Sequence, residues 1–246
     1  MEVHHHTHTD RIKWTHYFWE FLMLFLAVFC GFLAEYQLEH KIEKDREKQY
    51  MRSMIKDLNT DLENISLSLG EKYSMTEIGD SITQAFIRGN YAGQTGMLYY
   101  RARVFSTFKN IFLMTDGTLR QLKNSGGLRL IRKLVIVDSL QAYDNLYQQF
   151  LMSQQNESEY LMDYRDVMGK IFDLKIFDGM VKTYPDIIMP DGNPPLFNTD
   201  KYLINEFLLR IHVAKRTKLA EIFYLHQLRA KASNLIIAIK KEYSIK

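Results

Sequence analysis

The chain has 246 residues, 46% hydrophobic and 25% charged, with a formal net charge of +3. A balance this close to neutral gives no footprint for a polyanion, so no nucleic-acid partner is expected. The only cysteine, Cys30, excludes an intrachain disulfide, and four prolines, all between Pro185 and Pro195, leave the rest of the chain free to build long helices.

Residues 1–16 are a His-rich tail in which His4, His5, His6 and His8 stand close together. Neutral imidazoles grouped in this way bind a borderline metal such as zinc or nickel. Neither a cysteine nor a well-spaced carboxylate completes a closed site, so a flexible polar tail with incidental metal affinity is the preferred reading. No other cofactor is expected.

Residues 17–36, YFWEFLMLFLAVFCGFLAEY, predict a transmembrane helix and make the lipid bilayer the first expected partner. No charge falls between Phe21 and Ala34, and with the flanking aromatics the run reaches the roughly 20 residues a helix needs to cross a bilayer. Trp14, Tyr17, Trp19 and Tyr36 stand where interfacial aromatics belong. A buried core helix competes, because Glu20 and Glu35 bracket a short uncharged run; a cleaved signal peptide fits less well, because no small-residue cleavage site follows.

At 100° per residue, His16, Glu20, Ala27, Gly31 and Ala34 share one face of this helix, within about 40° of Glu20. Small residues at four-residue spacing let helices approach closely in lipid, and a carboxylate at the membrane edge gains by turning toward other protomers. The face therefore predicts a homo-oligomer. An alternative use of the same residues is an ion or proton pathway in which Glu20 side chains ring a pore. His16 and Glu20, one turn apart, are able to touch.

Residues 37–246 are expected to form one helical bundle domain. QLEHKIEKDREKQY interleaves acids and bases at three and four spacing, which extends the membrane helix without a break. Met51, Ile55, Leu58, Leu62, Ile65 and Leu69 then form a helix-packing seam, assigned to the chain's own bundle in preference to a coiled coil between copies. The pattern weakens from Gly89 through Gly96 and resumes with MLYYRARVFSTFKNIF. TLRQLKNSGG predicts a short helix capped by Thr115 or Asp116 and stopped by Gly126 and Gly127. A long helical pattern runs from about Leu134 to Asp178, and its polar stretch SQQNESE is either a break or a solvated turn.

Residues 179–199 are the longest predicted loop. Asp191 and Asn193 share a spacing with calcium loops, but the glycine and closing glutamate of that motif are missing. Asn198 to Asp200 are placed to cap a last helix with a seam at Phe207, Ile211, Ala214, Ile222, Leu225, Ala232, Ile236, Ile239 and Tyr243, interrupted by Lys218 and Arg229. From Lys201 onward ten Lys/Arg face three Glu, whereas residues 156–191 carry eight Asp/Glu and four Lys/Arg. Pairing between these segments is the favoured explanation, with an acidic partner such as nucleic acid or anionic lipid the other.

The segment LKNSGGLRLI, through Leu122, Ser125, Gly126, Leu128, Leu130 and Ile131, resembles a motif of uncharacterised single-span membrane proteins of Bacteroidota. Those share the order of parts: short tail, one apolar helix, charged helix, then this motif. Their spans are usually rich in glycine and isoleucine, whereas this one is rich in phenylalanine. The resemblance implies a bacterial inner membrane, with the tail cytoplasmic and the bundle periplasmic, and brings no activity with it. Physically, Ser125, Gly126 and Gly127 have two readings: a glycine helix stop, or an anion nest of backbone N–H groups assisted by Arg129.

No HExxH, GxSxG, CxxC or GxGxxG motif is present, and His212 and His226 are about 21 Å apart on one helix. The sequence thus predicts an all-α protein: one transmembrane helix leading into a bundle of about four long helices. The expected role is that of a non-enzymatic structural, scaffolding or sensing subunit of a bacterial envelope assembly, with an envelope protein as a further partner.

Overall fold

The computed structural model describes residues 14–89, 91–107, 111–183 and 186–245, so His4, His5, His6 and His8 lie outside the described residues. Among those described, the chain forms six α-helices and one 3₁₀ turn. The chain divides into two compact units, residues 1–50 and 51–246.

Helix α1, Trp14–Ile87, is a single helix that runs from the first unit into the second, without proline and without a break at the end of the predicted span. In the first unit its apolar stretch has a mean hydropathy of 2.0 and none of it is buried. Phe21, Leu24 and Phe32 are 67%, 71% and 67% exposed. In water that surface would cost about 25 cal/mol per Å², so the stretch needs an apolar surrounding that the unit itself does not supply. It is long and apolar enough to cross a membrane. The polar continuation is held by local contacts: His40 Nδ1 lies 3.7 Å from Glu43 Oε2, and the rings of Tyr36 and His40 pack edge to face at 4.2 Å.

The second unit begins at Met51. From there α1 buries Met51, Met54, Leu58, Asp61, Ile65, Ser68, Lys72, Met75, Gly79, Ile82 and Phe86, with steps alternating between three and four. That is the spacing of a helix packed along its length, and these side chains are covered within the chain's own bundle. Helix α4, Leu134–Ile171, and helix α6, Lys201–Tyr243, bury stripes of the same spacing. Helix α4 is continuous through SQQNESE, which settles the open question there.

Tyr143 Oη donates to Asp61 Oδ2 at 2.7 Å and Lys72 pairs with Glu157, so α1 and α4 run parallel. Lys72 also pairs with Glu221, and Lys215 with Asp80, so α6 runs antiparallel to both. The expected four long helices are therefore three. Among the described residues, the return from the end of α1 to the start of α4 is broken into α2, Thr95–Phe105, non-helical residues 111–116, α3, Gly117–Asn124, and a 3₁₀ turn, Gly127–Leu130.

The breaks have local causes. At the end of α2, Ser106 and Thr107 bond their hydroxyls back to the carbonyls of Arg103 and Val104, which competes with continued helix. Tyr164 and Arg165 of α4 donate to the carbonyls of Ala102 and Ser106 at this end. At the start of α3, Asp116 gives its carboxylate to Arg120 and makes no cap. The orphan amides are satisfied from α1: Asp61 Oδ1 accepts from Thr115 N at 2.7 Å and Asp57 Oδ2 from Thr118 N at 3.0 Å.

Helix α5, Leu174–Gly179, is capped by Asp173, and α6 by Asp200, whose Oδ1 accepts from Tyr202 N and Leu203 N. The loop before α6 is pinned on α2. A Cβ on Gly96 would fall 2.2 Å from the Gly192 carbonyl, so only glycine permits the approach. Asn193 Oδ1 accepts from Gly96 N at 3.2 Å, which commits the atom that a calcium loop would have needed.

A buried charged layer across the bundle

Extended at its own spacing, each of the three long stripes carries a charged residue at the same level. Lys72 of α1, Glu157 of α4, and Lys218 and Glu221 of α6 are 4%, 1%, 1% and 0% exposed. Each stands where the stripe calls for an apolar side chain, flanked by Ile65 and Met75, Phe150 and Leu161, and Ala214 and Leu225. Helix packing alone brings the four together.

Glu157 is the hub. One of its oxygens accepts from Lys72 and the other from Lys218. Lys72 Nζ also lies 2.6 Å from Glu221 Oε2, so one ammonium on α1 ties both other long helices. Lys218 Nζ sits 5.2 Å from the centre of the Phe105 ring, whose electron-rich face provides a further partner. Burying charges is costly, and such a cluster persists because each ion has an opposite neighbour.

The four groups titrate unlike free side chains. Burial pushes Glu157 up, but the ammonium groups of Lys218 and Lys72 outweigh it and hold the carboxyl below the ordinary range. Glu221 has only Lys72 to oppose its burial and it faces the charge of Glu157, which push it up to about 8. Burial holds Lys218 below the usual lysine range, only partly offset by Glu157. Lys72 is pushed above it, because Glu157 and Glu221 together outweigh its burial. At neutral pH the layer therefore holds a proton on Glu221. Nearby, Ser68 Oγ, Gln154 Nε2 and Glu221 Oε1 are buried without a hydrogen-bond partner among the described residues.

On the outside of the same level, α4 and α6 leave a groove of about 580 Å³ lined by Gln149, Ser153, Asn156, Tyr160, Arg216 and Tyr224 among others. His226 Nε2 and Tyr73 Oη meet at 2.9 Å across α6 and α1, so His226 is tied to α1 and not to His212.

His16 Nε2 lies 3.4 Å from Glu20 Oε1, one turn away on the apolar helix. Ala27, Gly31 and Ala34 are exposed, and a Cβ on Gly31 would meet nothing within 4 Å. Gly126 takes the left-handed conformation, φ 66°, at the end of α3. The amides of Ser125, Gly126 and Arg129 donate to the carbonyls of Gln121, Lys123 and Gly126, which is the glycine helix stop in detail. Lys218 does not interrupt the α6 stripe as expected; it occupies it. Arg229 is exposed, and the stripe passes beside it through Leu228. The basic last helix pairs partly with the acidic stretch, through Arg210 with Asp163 and Lys218 with Glu157.

No family model, curated protein or solved structure matches the chain.

Proposed function

We propose that the chain is a single-pass, membrane-anchored helical bundle that acts as a non-enzymatic structural, scaffolding or sensing subunit of a bacterial envelope assembly. One observation carries the reading: the helix with the apolar stretch is the helix whose Lys72 ties α4 and α6 together. A buried ionic layer is a weak source of stability but a good means of fixing register. A bundle registered through its anchoring helix suits a part whose geometry is its function. The resemblance to single-span membrane proteins of Bacteroidota supports an inner-membrane setting with the bundle periplasmic, and the His16, Glu20, Ala27, Gly31 and Ala34 face pairs copies of the chain.

Purification of the full chain from its membrane, together with reconstitution, tests this. A constant partner and no ion flux support the scaffold. The second reading, an oligomeric ion or proton pathway, is favoured by the exposed His16 and Glu20 pair at 3.4 Å. Proteoliposome flux that disappears in Glu20→Gln would replace the scaffold by the pathway. Alkaline phosphatase and a cytoplasmic reporter fused in turn to the C-terminus decide on which side the bundle lies.

A further inference from the structure

The ends of two helices far apart in sequence are joined at one end of the bundle. Lys133, just before α4, pairs with Glu242 at the end of α6 at 2.8 Å. At this joined end Arg129, Arg132 and Lys133 before α4, and Lys240 and Lys241 beside Glu242 on α6, are all exposed, and Asp138 lies one turn into α4. Within the cationic rim, Leu134, Val135 and Ile237 are 73%, 70% and 65% exposed. Apolar side chains ringed by lysine and arginine make an interfacial surface: the apolar groups enter the acyl boundary while the cations meet phosphate.

The same end receives α1. Met51 belongs to the level at which α4 starts, since Asp61 meets Tyr143 and Asp57 meets the start of α3. Residues 37–50 alone separate Met51 from the predicted span along the chain. The chain thus connects a cationic, partly apolar end to the segment read as membrane-spanning, and each basic residue near an anionic surface adds to attraction.

We infer that this end of the bundle, through Arg129, Lys240, Lys241, Leu134, Val135 and Ile237, docks on the anionic phospholipid headgroups of the bilayer that holds the apolar helix. The inference rests on the anchored reading above. It assigns these cations a lipid, where the sequence favoured pairing within the chain.

The test uses the full chain with Cys30→Ser and a nitroxide at Val135→Cys, in nanodiscs of phosphatidylcholine alone or mixed with phosphatidylglycerol. Oxygen and nickel-chelate accessibilities are compared with those at Phe197→Cys, an exposed position near the start of α6. With phosphatidylglycerol, position 135 should become several-fold more oxygen-accessible relative to nickel than 197. That difference should vanish in phosphatidylcholine, at high salt, and in Arg129→Gln/Lys240→Gln/Lys241→Gln, which leaves the Lys133–Glu242 pair intact. A label at 135 as water-exposed as 197 in both lipids overturns the inference. So does protection that ignores lipid charge and salt, the mark of a second copy or another protein. If the triple variant unfolds, the lipid and salt arms on the unsubstituted bundle still decide. A label at Leu24→Cys reports the anchor separately: lipid exposure at 24 with water exposure at 135 removes the docking and leaves the anchor. If 24 proves aqueous, the anchored reading fails, and flotation with anionic against neutral vesicles decides the docking.

Discussion

Glu221→Gln isolates the proton held in the buried layer. The side chain keeps its shape and loses its ionisation. In the folded chain Glu221 is pushed from 4.5 up to about 8, by burial and by Glu157, against the pull of Lys72. A raised carboxyl means that the folded state binds a proton the unfolded state has released, so the contribution to stability is complete below the unfolded value and lost as pH rises through the folded one. The window is therefore 4.5 to about 8. At about 1.4 kcal/mol per unit the loss is at most about 5 kcal/mol, and less where the layer relaxes. Glu157, held low, acts only below 4.5, so it does not mask the effect. Denaturant melts followed by circular dichroism, at about pH 5 and about pH 8, should show the wild type weakening by several kcal/mol while Glu221→Gln changes far less. Equal wild-type stability at both pH values, or the same decline in the variant, would refute the assignment of the proton to Glu221.

Other perturbations test neighbouring parts. Lys72→Met leaves Glu157 with one ammonium and Glu221 with none, and should cost about 3–5 kcal/mol in the same melts; a double-mutant cycle with Glu157→Gln should show strong coupling. Asp61→Ala removes the acceptor of Tyr143 Oη and Thr115 N. One buried and one half-buried donor left unpaired should cost about 2–4 kcal/mol and speed hydrogen exchange across α3. Gly31→Leu adds bulk where a close helix neighbour would pack; it should loosen the oligomer in mass photometry and leave the bundle's melt unchanged.

Much of the fold was legible because hydrophobic period is a strong cue in long helices. Met51, Leu58 and Ile65 marked the α1 stripe, Asp200 its cap on α6, and Gly126 the end of α3. What escaped was the charged layer, because a search for apolar residues stops at Lys72, skips Glu157 inside SQQNESE, and treats Lys218 as a gap. The available cue was positional: all three stripes, continued at steps of three and four, meet a charge where they should meet an aliphatic side chain. The broken return was less accessible. Residues 106–107 and 111–116 fail to be helical because Ser106 and Thr107 turn onto their own backbone and because Asp57 and Asp61, over fifty residues earlier, satisfy the start of α3. Local sequence carries the first cause and only tertiary structure the second. The basic end was likewise split in sequence, with Arg129 to Lys133 and Lys240 to Lys241 joined only when α4 and α6 pack antiparallel.

Membrane insertion of the α1 apolar stretch is the claim on which the functional reading rests, and alkaline carbonate extraction of membranes from expressing cells tests it most directly. The full chain should stay in the pellet after extraction. Leu26→Arg combined with Phe29→Arg, which places two charges in the middle of the stretch at about 2.5–3.5 kcal/mol each on an insertion scale, should release it with the bundle still folded. Wild-type chain recovered in the supernatant, or a double variant that remains as firmly in the pellet, would contradict the account.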